Sequence, residues 1–207
     1  VMASVDDFEI EISGKGGHAA RPQLSVDPIV AATAMVQALH TIVSRNVDPI
    51  ENGVISITQI HAGTAYNVIP ETAKIMGTIR SFEPAIKAIM QKRLITVMEN
   101  ISAAFDTTAG LTYHDGYPAT VNNAEKAAFA VKVAASIVGD DNVSDQAARR
   151  MGAEDFSFML NKVPGAYVFV GNGDSAALHH QSYNFNDETA PIGASYLAKI
   201  VETAQPV

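Results

Sequence analysis

Cysteine and tryptophan are both missing from this 207-residue chain. Without cysteine there is no disulfide framework, no thiol nucleophile and no thiolate metal ligand, although the absence is neutral about compartment. Basic residues are also scarce: 14 Lys and Arg stand against 22 Asp and Glu, for a net charge of −8. With no dense Lys/Arg block, nucleic acid is not an expected partner. No apolar run approaches the roughly 20 residues of a membrane-spanning helix, and no basic leader is followed by an apolar stretch. The expectation is a soluble, cytoplasmic protein with no secretory signal and no membrane partner. What is present is 47% apolar residues and enough length for one large core or two small ones.

The first half carries alternating and helical periods in turn. Phe8, Ile10 and Ile12 alternate with Glu9 and Glu11, which predicts a strand with one wet face. After a glycine loop, Asp27 and Pro28 supply a cap and a first-turn proline, and Ile29, Ala32, Val36, Leu39 and Val43 recur at helical spacing with Met35 and Ile42 on the flanks. "GVISITQI" (53–60) and "ETAKIMGTIR" (71–80) predict two more strands, the latter with Ile75, Gly77 and Ile79 on one face and Lys74, Thr78 and Arg80 on the other. Glu83 and Pro84 open a second helix, and Gly110 to Gly116 a last strand. The order over 8–116 is β-α-β-β-α-β: a ferredoxin-like α/β domain, an antiparallel four-stranded sheet with both helices on one side. Its edges need protection, which a second copy can give.

Residues 117–207 differ. Asn122 and Glu125 are spaced as a capping box for a helix, and "GAYVFVGNG" (165–173) reads as a strand buried on both faces. A final helix is expected from about Pro191 to Thr203. A buried strand needs neighbours for its backbone groups, so this half reads as an incomplete part of a larger sheet.

Four stretches are polar amid apolar pattern: Gly16–Pro22, Gly63–Pro70, Met151–Phe156 and Leu178–Asp187. Residues within them, and Arg80 at a strand end outside them, are open to two readings. His18 is either a turn histidine or a working one; Asn67 closes a turn or serves the site; Arg80 is a solvated charge or a two-pronged carboxylate clamp. Glu154 and Asp155 suit a helix N-terminus as well as a substrate site. His179 and His180 carry the stronger metal signal, because imidazole is the commonest metal ligand. Yet no HxxH or HExxH spacing is present, and this chain alone does not build a metal site.

"GKGGHAARPQLSVDPIVAATAMVQALHTIVSR", "GTAYNVIPETAKIMGTIRSF", "MGAEDFSFML", "VPGAYVFVGNG" and "LHHQSYNFNDE", in this order, closely resemble the M20 metallopeptidase family. The likeness is to its amidohydrolase branch, which contains hippurate hydrolase, N-acetyl-diaminopimelate deacetylase and the auxin-conjugate hydrolases. The resemblance implies that 8–116 is a lid and dimerisation domain and 117–207 the C-terminal segment of a metal-dependent α/β catalytic domain. The N-terminal catalytic half, with most metal ligands and the general base, has no counterpart here. It further implies catalytic roles for His18, as oxyanion donor across a homodimer, and for Asn67; substrate binding by Arg80, Gly152 and Glu154; and metal ligation by His179. Two divalent ions (Zn, Mn or Co) would activate water against the amide of a small N-acyl amino acid in the full-length parent, and this chain alone would be inactive. Two other readings stand beside it: a non-catalytic dimerisation or small-ligand-binding homologue, and an M20-type dipeptidase or aminopeptidase.

Overall fold

In "DDFEIEIS" every second side chain turns inward, and the segment forms β1 (Asp6–Ser13) with Asp6, Phe8, Ile10 and Ile12 buried. The computed structural model describes residues 1–205 and divides them into two compact units: Val1–Thr120 with Arg149–Asp155, and Val121–Ala148 with the chain from Phe156 onward. No helix among the described residues is long and apolar enough to cross a membrane. The fold is mixed α/β.

In the first unit β1 is followed by β2 (Gly17–His18), α1 (Pro28–Asn46), β3 (Gly53–Ala62), β4 (Val68–Ile69), β5 (Thr72–Ser81), α2 (Pro84–Ala104) and β6 (Thr108–Asp115). The strands β3-β5-β1-β6 make one antiparallel sheet in that order, while β2 and β4 pair separately. Helix α1 begins as the sequence predicts: Pro28 occupies the first turn and the Asp27 carboxylate accepts a hydrogen bond from Ile29 N at 2.9 Å. Its buried face is rotated from the expected one. Met35 and Ile42 are fully buried with Ala31, Ala32 and Leu39, whereas Ile29 is exposed, because sheet and α2 together cover a wider arc than one stripe. Both helices pack into a single core with Phe8, Ile10, Ile12, Ile75 and Ile79. At Gly77 an added Cβ would lie 2.4 Å from Ser56 O and 2.6 Å from Phe8 Cζ, so only glycine lets the Phe8 ring cross β5.

Asp6 interrupts this apolar face. Its fully buried carboxylate accepts from Lys87 Nζ at 2.9 Å, Gly116 N at 3.0 Å and Tyr113 Oη at 3.2 Å. Lys87 also meets the Asp115 carboxylate at 3.0 Å. Burial works against the Lys87 charge, but the hydrogen bonds and charges of Asp6 and Asp115 outweigh it and raise the ammonium pKa above its ordinary value. Burial, followed by the Asp6 charge, raises the Tyr113 phenol as well.

The second unit holds α3 (Ala124–Val138), α4 (Phe156–Leu160) and α5 (Thr189–Ala204). The cap of α3 is Asn123, whose side chain accepts from Lys126 N at 3.1 Å, one residue later than the expected capping box. Asn122 instead acts as a backbone surrogate: its Oδ1 accepts from Tyr167 N at 2.8 Å and its Nδ2 donates to Tyr167 O at 2.9 Å. The segment 165–173 corrects a second expectation, since it forms no strand and its Val168, Phe169 and Val170 are 43%, 49% and 49% exposed. An apolar run becomes a buried strand only where partners cover it, and none of the described residues pairs with it as a strand. The unit's buried centre is small: Ala130, Val133 and Tyr196.

Candidate functional site

Two strands of two residues each fix the first pair of candidates. His18 pairs with Val68 and Gly17 with Ile69, and Ala19 N donates to Asn67 O at 3.0 Å. His18 on β2 and Asn67, the turn residue just before β4, are far apart in sequence but are brought to neighbouring backbone positions by this ribbon, both exposed. The glycines before them explain how this is possible. An added Cβ would lie 2.2 Å from Val26 O at Gly14, 2.9 Å from Ile69 O at Gly16 and 2.2 Å from Ser25 Oγ at Gly17. None of the three has positive φ, so they serve close backbone approach rather than an unusual turn conformation. Ser25 Oγ is buried against Gly17 and makes no hydrogen bond. The His18 ring is itself tethered: Ala20 N donates to its Nδ1 at 3.1 Å.

Arg80 stands half-buried on β5, opposite Val54 on β3. Its Nη1 donates to Thr78 Oγ1 at 2.6 Å and to Ile79 O at 3.3 Å, and the Thr78 hydroxyl donates onward to Asp6 O at 2.9 Å. One nitrogen of the guanidinium is thus committed to the sheet. Near the β2–β4 ribbon lies an open groove of about 470 Å³ lined by Glu11, His61, Val68, Pro70 and Lys74. Its cation is engaged, with Lys74 Nζ 3.1 Å from the Glu9 carboxylate.

Gly152 and Glu154 belong to the returning segment 149–155 of the first unit, where Ala3 N donates to Arg150 O at 3.0 Å and Arg150 N to Val1 O at 3.1 Å. Thr120 Oγ1 donates to the Glu154 carbonyl at 3.4 Å. In the second unit Asn172 organises the histidine loop: its Oδ1 accepts from Asn186 N at 2.8 Å and its Nδ2 donates to Asn184 O at 2.8 Å. His179 is exposed, with a left-handed φ of 67° and no hydrogen bond on its ring. His180 differs, because Ser182 N donates to its Nδ1 at 3.1 Å and occupies that lone pair. His179 accordingly has the freer imidazole of the two. Among the described residues no group of three or more His, Cys, Asp or Glu is arranged to hold a metal ion. One imidazole does not make a metal centre, so the donor set within either unit does not fit a bound ion by itself.

The family model described as "Peptidase family M20/M25/M40" matches residues 9–203. The chain belongs to this family. Among its M20 relatives, the N-acetyl-L-cysteine deacetylase of Bacillus subtilis (strain 168) is 39% identical over 196 residues, covering 95% of this chain and 46% of that protein. Hippurate hydrolase of Campylobacter jejuni is 36% identical over 200 residues, covering 97% and 52%. A Bacillus subtilis crystal structure described as a dinuclear metal binding peptidase from the M20 family superposes with a TM-score of 0.75 at 27% identity, covering 99% of this chain and 51% of that one. The chain spans about half the length of the curated M20 relatives it matches.

Three residues secure the candidates without having been marked for that role by the sequence. Thr78 was placed on the strand face of Arg80, two residues away, and its hydroxyl as an anchor for the guanidinium was legible from that spacing. Asn172, between two glycines, carried a turn signal. Ala20 acts through its backbone and has no side-chain signature.

Proposed function

We propose that the whole protein is a metal-dependent amidohydrolase that cleaves the amide bond of N-acyl amino acids, hippurate-like or N-acetylated. The observation that carries this reading is the ribbon that sets exposed His18 beside Asn67 in a chain of the M20 family. In this reading 8–116 is a ferredoxin-like lid, and 117–207 is the C-terminal segment of a catalytic domain completed elsewhere in the whole protein. His18 donates a hydrogen bond to the carbonyl oxygen as it gains negative charge, which stabilises the transition state more than the ground state. Asn67 contacts the same end of the substrate, Arg80 receives its carboxylate, and Gly152 and Glu154 line the substrate's approach. Two divalent ions, zinc, manganese or cobalt, belong to the whole protein, with His179 as the single ligand from this chain.

The lid also makes a homodimer, a proposal supported by β3 lying at the sheet edge with its second half exposed. The test is hydrolysis of hippurate and N-acetyl amino acids by the whole protein. His18→Ala should lower kcat roughly a hundredfold or more with the fold and metal content intact. An unchanged kcat would remove His18 from catalysis, and a preference for free dipeptides would move the protein to the peptidase branch. The 207-residue chain alone should release no product.

A further inference from the structure

We infer that the backbone N–H of Ala20 locks His18 as the neutral Nε2–H tautomer, making Ala20 the positioning residue for the proposed oxyanion donor. This rests on the reading of His18 just given and adds how its proton is placed.

An amide nitrogen can only donate. At 3.1 Å from His18 Nδ1, Ala20 N–H therefore needs a lone pair on that ring nitrogen. In a neutral imidazole the proton then sits on Nε2, because the hydrogen bond made by one ring nitrogen sets the state of the other. The tether spans only two residues, and the loop that makes it is fixed at several further points. Ala19 N is held by Asn67 O at 3.0 Å, Arg21 N donates to His18 O at 2.8 Å, and Leu24 N and Ser25 N close the following turn onto Arg21 O and Pro22 O. The ring's outward nitrogen is thus a donor without the imidazole carrying a charge. A donor aimed before the reaction begins needs no reorganisation as the oxyanion forms, which is the property electrostatic catalysis demands. Had the proton resided on Nδ1, Nε2 would present a lone pair to the developing negative charge.

The experiment is performed on the 15N-labelled 207-residue chain at mildly alkaline pH, by long-range 1H–15N spectroscopy of the imidazole rings. The expected result is one pyrrole-type signal at His18 Nε2, one pyridine-type signal at Nδ1, and a scalar coupling through the hydrogen bond between Ala20 N and His18 Nδ1. His40 is the internal reference, an exposed histidine on α1 whose ring makes no hydrogen bond and whose signals should be tautomer-averaged. Ala20→Pro removes the N–H donor while fixing φ at that residue, and should move the His18 signals to those of His40, while Ala20→Gly, which keeps the N–H, should leave them in place. A His18 ring averaged like His40, a protonated Nδ1, or an Ala20→Pro variant with an unchanged tautomer would each overturn the proposal. If Ala20→Pro disturbs the loop, the coupling in the unsubstituted chain decides the question alone. A fixed tautomer combined with full activity of His18→Ala in the whole protein would refute the oxyanion role and leave the lock standing.

Discussion

The two units solve the same backbone problem differently. In the first, the central strands β1 and β5 exchange hydrogen bonds with neighbours on both sides, and their inner faces are closed by α1 and α2. In the second, the apolar segment 165–173 has half-exposed valines and no strand pairing among the described residues. What holds it is the Asn122 side chain, which offers Tyr167 one acceptor and one donor as a neighbouring strand would, together with the rings of Phe156 and Phe169 at 5.5 and 5.3 Å from that of Tyr167. Apolar sequence supplies the drive to bury, but hydrogen-bond partners decide whether a strand results.

Hydrogen exchange gives the widest separation between the units. Amides of Ile10 and Ile75 lie mid-strand in the sheet and should open only with the unit as a whole, whereas those of Val168 and Val170 should exchange by local opening. The expected ratio of protection is at least about a thousandfold. Equal protection would erase the contrast.

The next largest effect concerns the first unit alone. Lys87→Met leaves Asp6 buried with only Tyr113 and Gly116 to satisfy it, and removing one partner of a buried pair costs on the order of 3 kcal/mol. Denaturant midpoints read from Tyr113 and from Tyr167 should therefore part, the first falling and the second holding. The pH dependence has a definite sign. Lys87 and Tyr113 both hold their protons more tightly when folded, so their contribution is intact below their ordinary values of 10.5 and 10.0 and is lost as pH rises beyond them. Stability should fall on the alkaline side, less steeply in Lys87→Met.

Asn122→Ala should have the smallest effect, about 1–2 kcal/mol for two lost hydrogen bonds, confined to the second unit. A matching loss in the first unit would show that the two are coupled.

Period-two and helical patterns made most of the first unit legible, because its strands alternate and its helices open at Asp27–Pro28 and Glu83–Pro84. Asp6 was legible too: extending the alternation of Phe8, Ile10 and Ile12 by one step places a carboxylate inside. The unpaired state of 165–173 was not, since pairing depends on other parts of a chain rather than on the segment's own residues. At the candidate site, the motif stretches marked His18, Asn67 and His179. The proximity of the first two depends on a four-residue ribbon with no period to detect, and the His18 tether on a backbone amide.

The missing methyl groups of Gly14, Gly16 and Gly17 also define a tolerance. Since main chain meets Val26 O and Ile69 O at distances no side chain permits, the spacing between His18 and Asn67 is gauged by backbone atoms and is indifferent to most exchanges on the surrounding surface. A single added carbon at Gly16 would act as a shim between the strands. The two segments can thus carry varied side chains at their exposed positions while keeping the backbone spacing of the two candidate residues unchanged.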